Sequence, residues 1–492
     1  VYAEGARASE MPLEIPTSAL ENSVSVPNVR KPRRRMFRLM HSRYLAEGYA
    51  PICLDTNDPH TVKCGFVKRV LRDVPAPNPQ LLAELRLFVK DWVSKNVRKV
   101  VVPSFEDWLE RTSYSEGRKN ELREAFEMNR GCRPSKRVCS KVDAFVKTEF
   151  YTEYKHCRLI NSRCDRAKVW IGPRIKAVED EIFKLPQFIK HVPVLERPEV
   201  ILRLKQAGRI YYASDYTAFE SHFSAEIMDA VECELYRWCL SDDVDVEFLC
   251  NIFTGINRMS TRTGVTATCK AKRMSGEMNT SLGNGFTNFM LSLFLSSRKG
   301  GEMDGVFEGD DGLFFSTVAL KEEDYEQLGF TIKLQQVPDP CKASFCGMIF
   351  SDSGQIIKDP RKFLQGFGWT ASALEGRSGT LLSLLRAKAL STLYEVPHCP
   401  IVGVIARDAL RFTKDYPAKF ISDGYHPCIP NFVPEVFNPS ASTRELFHEM
   451  YGITVQEQLI AEKLIREGKI YEISSVLPPT DHCAHYFARY VC

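Results

Sequence analysis

The sixteen cysteines in this 492-residue sequence include no CxxC pair. Cys132 and Cys139 stand seven apart, as do Cys157 and Cys164, and HCAH occupies 482–485. None of these is a zinc-ligand spacing, which argues against a structural zinc site. No signal-peptide pattern is present, so reduced thiols in a cytosol-like compartment are expected. Long apolar runs are also missing. A membrane span needs roughly 20 apolar residues, and the stretch 286–295 falls well short. There is no internal repeat and no low-complexity segment. The net charge is only +4, which by itself selects no class of partner. The first residue is Val1 rather than Met. That suits a processed, read-through or truncated product, with any membrane attachment carried elsewhere.

What is present is a globular composition, 44% apolar and 26% charged, at a length that suits one large multi-subdomain enzyme or two to four ordinary domains. Basic residues bunch in the N-terminal third, in RKPRRRMFR at 30–38 and in the stretch 118–174. Such runs are most often solubilising, but they also suit the neutralisation of phosphates. Residues 1–35 read as an arm with little structure of its own. After the break PAPNP at 75–79, apolar spacing predicts helices over 81–97 and 117–129. Strands are expected over 141–149, 155–160 and 209–214, the last ending at Asp215 before a helical pattern that runs to 238. A strand pair within 261–272, a helix over 279–297, a helix over 321–328 and a strand over 330–334 follow. Helical patterns then cover 381–394, 401–412 and 443–467.

The chemistry gathers around VFEGDDGLFF at 306–315. Glycines on both sides of two acids, between aromatic and β-branched residues, signal a hairpin with Asp310 and Asp311 exposed at its tip. Taken alone this is a solvated turn. Adjacent carboxylates repel, however, and a hard divalent cation relieves them. Asp215, at a strand end far upstream, supplies a third carboxylate, although an Asp there also suits a helix cap. Three such acids can clamp two cations that activate an attacking hydroxyl and stabilise a departing pyrophosphate. Between them lies SGEMNTSLGN at 275–284. Ser275 and Gly276 form a loop, and Thr280 and Asn284 fall at i and i+4 on one helical face, suited to a ribose hydroxyl. Helix capping and buried polar packing explain the same residues equally well.

Strand-Asp, then SGxxxTxxxN, then GDD, in this order and spacing, resembles motifs A, B and C of viral RNA-dependent RNA polymerases. SYSEGRK at 113–119 is similar to the template-entry segment of positive-strand, tombusvirus- and nodavirus-like members. KTE at 147–149 with KHCRLI at 155–160 resembles motif F, LGFTIK at 328–333 motif D and FCG at 345–347 motif E. The resemblance implies an α+β right-hand polymerase with an antiparallel palm sheet and a helical thumb. Its implied divisions are a basic arm over 1–44, fingers over 45–208 and 240–272, palm over 209–239 and 273–360, and thumb with C-terminal helices over 361–492. It implies Asp215, Asp310 and Asp311 as metal ligands for two Mg²⁺ ions, with Mn²⁺ as the alternative. Lys147, Lys155 and Arg158 would face the triphosphate, Lys333 would be the general acid, and Arg118 and Lys119 would meet template. RNA, nucleoside triphosphates and other viral replication proteins are the implied partners. The implied location is the host cytoplasm, at membrane-associated replication sites reached through another protein or a segment outside this chain.

One position departs from the pattern. Where the family usually has a second motif A Asp, this chain has Glu220, in DYTAFE. In the family that acid works with the motif B Asn to sense the 2′-hydroxyl, so a Glu220–Asn284 pairing is expected, with a longer side chain. Reverse transcriptase is the rival enzyme, but Gly309 stands where that class usually has a hydrophobic residue. A non-catalytic RNA-binding scaffold of the same fold is the rival of another kind. It would show a damaged triad, and all three Asp residues are present.

Overall fold

Ala3, Gly5 and Ala6 are small enough for the first residues of the chain to lie directly on neighbouring backbone. The computed structural model describes residues 1–28, 33–206, 208–371, 378–420, 432–435 and 438–492. In chain order its strands are β1 (Tyr2–Glu4), β2 (Val24–Ser25), β3 (Met36–Leu39), β4 (Lys141–Val146), β5 (Leu159–Arg163), β6 (Ile210–Tyr216), β7 (Ile256–Thr261), β8 (Thr266–Lys270), β9 (Met303–Glu308), β10 (Asp311–Ser316), β11 (Ile332–Val337), β12 (Ile349–Phe350), β13 (Ile356–Ile357) and β14 (Trp369–Thr370). They form sheets ordered β1-β3-β14, β11-β6-β10-β9, β12-β13 and β2-β8-β7-β4-β5.

The expectation of a structureless arm over 1–35 fails for its described part. β1 pairs antiparallel with β3, and Tyr2 exchanges backbone hydrogen bonds of 2.8 and 2.9 Å with Cys492. Ala3 and Ala6 are fully buried. A Cβ on Gly5 would come within 2.9 Å of the Asp55 backbone. Polarity suggests an arm because β1 is only Tyr-Ala-Glu, too short to carry a hydrophobic period. Residues 29–32 of the basic run lie outside the described residues. Of the remainder, Arg34 is already paired with Glu10 and Glu4.

The four-stranded sheet is antiparallel throughout. Its central strand β6 is buried along most of its length, with Asp215 as an exposed break. Helix Thr280–Arg298 covers β9 and β10 through an aromatic stack in which Phe289, Phe307 and Phe314 lie 5.4 and 5.8 Å apart. This layer is a sheet with apolar faces closed by helices, an α+β arrangement. The five-stranded sheet is antiparallel except for the β4–β7 pair, which is parallel. It buries Val142, Ala144, Met259, Ala267 and Cys269 on one face, against Val62, Phe66 and Val70.

The expected helices over 81–97 and 117–129 are present as Pro79–Asn96 and Glu116–Met128. Two other expectations change. The segment 155–160 becomes strand only at Leu159, because His156 and Cys157 are both buried and break the alternation a strand needs. The single helix expected over 443–467 is two, Ala441–Tyr451 and Val455–Arg466. Gly452, at φ +68°, ends the first in the left-handed region, and a Thr454–Glu457 capping box starts the second.

Gly5→Val should lower stability by about 1–3 kcal/mol in a urea melt, because the added side chain must displace the Asp55 backbone. A melt identical to the parent chain's would show that β1 is not part of the folded core.

Candidate active site

The hairpin β9–β10 closes through Gly309 and Asp310, with Glu308 opposite Asp311. Gly309 has φ +61°, the conformation of the first central residue of a type II′ turn. Gly312 is glycine for another reason. A Cβ there would lie 2.6 Å from Ser214 Oγ and 3.0 Å from the Phe307 ring, so any larger residue would separate β10 from β6. Since Ser214 pairs with Gly312, the next step of the ladder sets Asp215 beside Asp311 at the end of the sheet. Lys333 of β11 stands opposite Asp215 on its other side.

The doublet is not fully exposed, as the sequence suggested. Both aspartates are half-buried. Burial first, then the charges of Asp310, Asp215 and Glu308, push the Asp311 carboxyl up to about 7. Crowding by protein and then the charge of Asp310 also raise Asp215, while Lys333, Lys155 and Arg69 pull it back. These are the shifts expected where like charges are held together. The turn Phe345-Cys346-Gly347 is brought to the same place. The Cys346 thiol donates to Glu308 Oε2 at 3.8 Å and opposes part of the Asp311 shift.

The basic segment forms a second wall. Lys147 N donates to Arg158 O at 2.9 Å, extending the β4–β5 hairpin. Glu149 gathers Lys147 at 3.3 Å, Arg158 at 3.7 Å and the Tyr151 hydroxyl at 2.9 Å, and Lys155 takes Glu153 at 2.8 Å. Burial works against the charge on Arg158, yet Glu149, Glu220 and Asp310 together hold its pKa above the ordinary value. Arg158 therefore faces both the acid of the motif A turn and the hairpin tip.

The loop at Ser275 and Gly276 lies against β5. Asn161 N donates to Ser275 O at 2.5 Å, and a Cβ on Gly276, at φ +102°, would strike Ile160. Thr280 does not present a free hydroxyl. It accepts from Gly276 N and donates to Met274 O, both at 3.1 Å, and so holds the loop closed. The expected Glu220–Asn284 pairing is absent among the described residues. Asn284 Oδ1 instead accepts from Arg273 Nε at 2.9 Å, and Arg273 pairs with Glu232 at 2.5 Å in full burial. Glu220 joins this network only through its carbonyl, which accepts from Arg273 N at 3.0 Å. A buried guanidinium needs acceptors; Asn284 takes Nε and Glu232 takes Nη2 of Arg273, while Nη1 has no hydrogen-bond partner among the described residues.

Arg118 and Lys119 are not brought to the carboxylates. Arg118 makes a two-pronged pair with Asp165 at 2.6 and 2.8 Å. Lys119 is buried against Glu110 and Glu116. Both brace the helix Glu116–Met128.

Sequence reasoning missed Arg69, whose charge reaches Asp215, and Asn288. Asn288 is fully buried in the helix behind the hairpin. Its Nδ2 donates to Asp310 O at 3.1 Å and Gly309 O at 3.4 Å, and its Oδ1 accepts from the Tyr216 hydroxyl at 3.1 Å. One side chain thus ties the turn to β6. The available signal was an amide inside the apolar run GFTNFMLSLF.

The donor set fits a hard divalent cation. Asp215, Asp310 and Asp311 offer oxygen only, and no Lys or Arg among the described residues forms an ion pair with them, while neighbouring Glu308 takes Arg197 at 3.0 Å. Asp339, Cys341 and Asp352 lie close enough together to hold a metal. Lys205 already bridges those carboxylates at 2.7 and 2.9 Å, so its ammonium occupies the place a cation would take.

A family model described as viral RNA dependent RNA polymerase matches residues 61–348, which include Asp215, Asp310, Asp311 and the basic wall. The chain is 24% identical over 366 residues to the RNA-directed RNA polymerase of Red clover necrotic mosaic virus, covering 66% of this chain and 47% of that protein. It is 27% identical over 222 residues to the RNA-directed RNA polymerase of Oat chlorotic stunt virus, covering 40% and 29%. The chain therefore matches less than half the length of these relatives.

Two outcomes follow from the geometry. Asn288→Leu should cost about 1–3 kcal/mol in a chemical melt, because it leaves the Tyr216 hydroxyl and two turn carbonyls unpaired; a neutral substitution would mean that the turn is held by other contacts. The second concerns pH in metal-free protein. Folded Asp311 takes its proton near 7, but the unfolded chain takes it only near the ordinary carboxylate value. This contribution is full below that value and is lost as pH rises through 7. Asp311→Asn should flatten the thermal stability profile over that window, and an unchanged slope would contradict the assignment.

Proposed function

We propose that this chain, which belongs to the viral RNA-dependent RNA polymerase family, extends an RNA strand by template-directed nucleotidyl transfer. The observation that carries this reading is the convergence of Asp215, Asp310 and Asp311 on one sheet end, without ion-pair partners among the described residues, beside a wall of Lys and Arg. In the reaction the 3′-oxygen of the growing strand bonds to the α-phosphorus of a nucleoside triphosphate. The bond from that phosphorus to the pyrophosphate oxygen breaks, and the hydroxyl proton leaves to solvent.

Asp215 and Asp310 would hold the metals, with Asp311 assisting. Mg²⁺ is the expected ion and Mn²⁺ the alternative, because few carboxylates plus substrate phosphates suit such cations. When bound, they supply charge neutralisation at the attacking hydroxyl and the departing pyrophosphate. Lys147, Lys155 and Arg158 orient the triphosphate by exchanging nearby acids for phosphate oxygens, and Arg69 adds its charge beside Asp215. Lys333 donates a proton to the pyrophosphate from its place opposite Asp215. Ser275 and Gly276 form a loop that Thr280 closes, and Asn284, held by Arg273, keeps its amide hydrogens for the ribose.

In the right-hand description, the four-stranded sheet is the palm, the five-stranded sheet belongs to the fingers, and the helices after 361 form the thumb. Arg118 and Lys119 then support the template entrance from behind. No helix among the described residues is long and apolar enough to cross a membrane. Work at host membranes beside other viral replication proteins would use a contact or segment outside this chain.

The test is incorporation of labelled ribonucleotides on a defined RNA with Mg²⁺. Asp310→Asn should reduce it on the order of 10²–10³-fold, and retained incorporation would exclude this mechanism. Glu220→Ala should relax discrimination between ribo- and deoxyribonucleotides by removing the carboxylate whose charge acts on Arg158. Unchanged discrimination would remove Glu220 from sugar selection, and a preference of the parent chain for deoxyribonucleotides would favour reverse transcription.

A further inference from the structure

The outer face of the five-stranded sheet carries a group of cations that the catalytic reading leaves unused. Burial alternates along its strands. Val142, Asn257, Met259 and Cys269 point inward, while Lys141, Arg258 and Lys270 stand outside. Their places in the ladder make them neighbours. Lys141 of β4 lies opposite Arg258 of β7, and Lys270 of β8 lies opposite Ile256, two residues from Arg258 on the same face. Helix Lys136–Cys139 adds Lys136 and Arg137. These five residues line one cavity of about 940 Å³, and no Asp or Glu shares its wall.

Elsewhere on this molecule cations are usually spent on acids, as Arg118, Lys119, Arg237 and Lys205 are. None of the five cavity residues forms an ion pair with a carboxylate among the described residues. Arg258 is instead fixed by neutral contacts. Its Nη1 donates to Ser140 Oγ at 2.7 Å, and its backbone N–H donates to Ser140 O at 2.7 Å. That arrangement holds the side chain in place while leaving its positive charge uncompensated.

We propose that this cavity is a second phosphate-binding site, which takes the backbone of a single-stranded RNA outside the catalytic centre. Its chemistry selects the backbone over a free nucleotide. No aromatic ring lines the cavity, so a base has no platform on which to stack, whereas phosphates find five donors. Its position separates it from the metal site. Lys141 begins the strand whose far end delivers Lys147, and six residues of extended chain span about 20 Å. Contacts of this kind position a strand without reading its sequence. The inference rests on the polymerase reading only in the choice of RNA as the polyanion.

The experiment is a salt titration of the affinity of the full chain for a fluorescent mixed-sequence single-stranded RNA. Lys141→Ala, Arg258→Ala and Lys270→Ala combined should weaken binding about tenfold at moderate salt. The combined variant should also make the slope of log affinity against log salt shallower by about 2, since each lost single-strand phosphate contact contributes about 0.7. Lys270→Glu alone, at an exposed strand end, should act in the same direction and protects the test against misfolding of the triple variant. Binding of a labelled nucleoside triphosphate, and incorporation at saturating RNA, should be unchanged. An unaltered slope and affinity in both variants would overturn the proposal, as would a parallel loss of triphosphate binding. Because RNA binding is read without incorporation, a chain that binds with the predicted slope but incorporates nothing would keep this site and refute the polymerase reading instead.

Discussion

Three carboxylates that repel one another are held side by side at one sheet end, and most of the surrounding architecture serves that constraint. The antiparallel ladder fixes Asp215 between Lys333 and the hairpin. Gly312 lets β10 approach β6, and Gly309 supplies the turn. Asn288 locks the turn carbonyls to the helix behind it and to Tyr216. The consequence is visible in Asp311, whose carboxyl is pushed up to about 7. Such an arrangement is unfavourable in isolation and becomes favourable when a divalent cation neutralises it.

The basic wall shows the complementary condition. Lys147 and Arg158 converge on Glu149, and Lys155 rests on Glu153. Each cation is paired with a nearby carboxylate. In contrast, Arg118–Asp165 and Arg273–Glu232 are structural pairs. The second is fully buried, and removing either partner would strand a charge in the interior. The same residue types therefore do two kinds of work, and burial with the number of hydrogen bonds separates them.

Much of the acidic sheet end was legible in the sequence. Asp215, the hairpin and Lys333 were placed by local signals, namely a strand ending in an acid, glycines around a doublet and a short apolar run. The helix carrying Asn284 followed from its periodicity. What stayed hidden depends on distant partners. Glu232 reaches Arg273 across 41 positions and Arg118 reaches Asp165 across 47, and no local pattern marks either pair. Asn284 could be assigned to one helical face, but not to Arg273. The N-terminal strand was hidden because it is three residues long and buries only the small side chain of Ala3. Family membership rests on more than half of the chain.

The most direct test of the central claim is a titration of Mn²⁺ into metal-free protein, followed by the paramagnetic signal of the free ion. Saturable binding that weakens as pH falls through about 7, and that Asp310→Asn abolishes while the fold persists, is the predicted result. Binding that is unaffected by Asp310→Asn would contradict the claim that these carboxylates form the metal site.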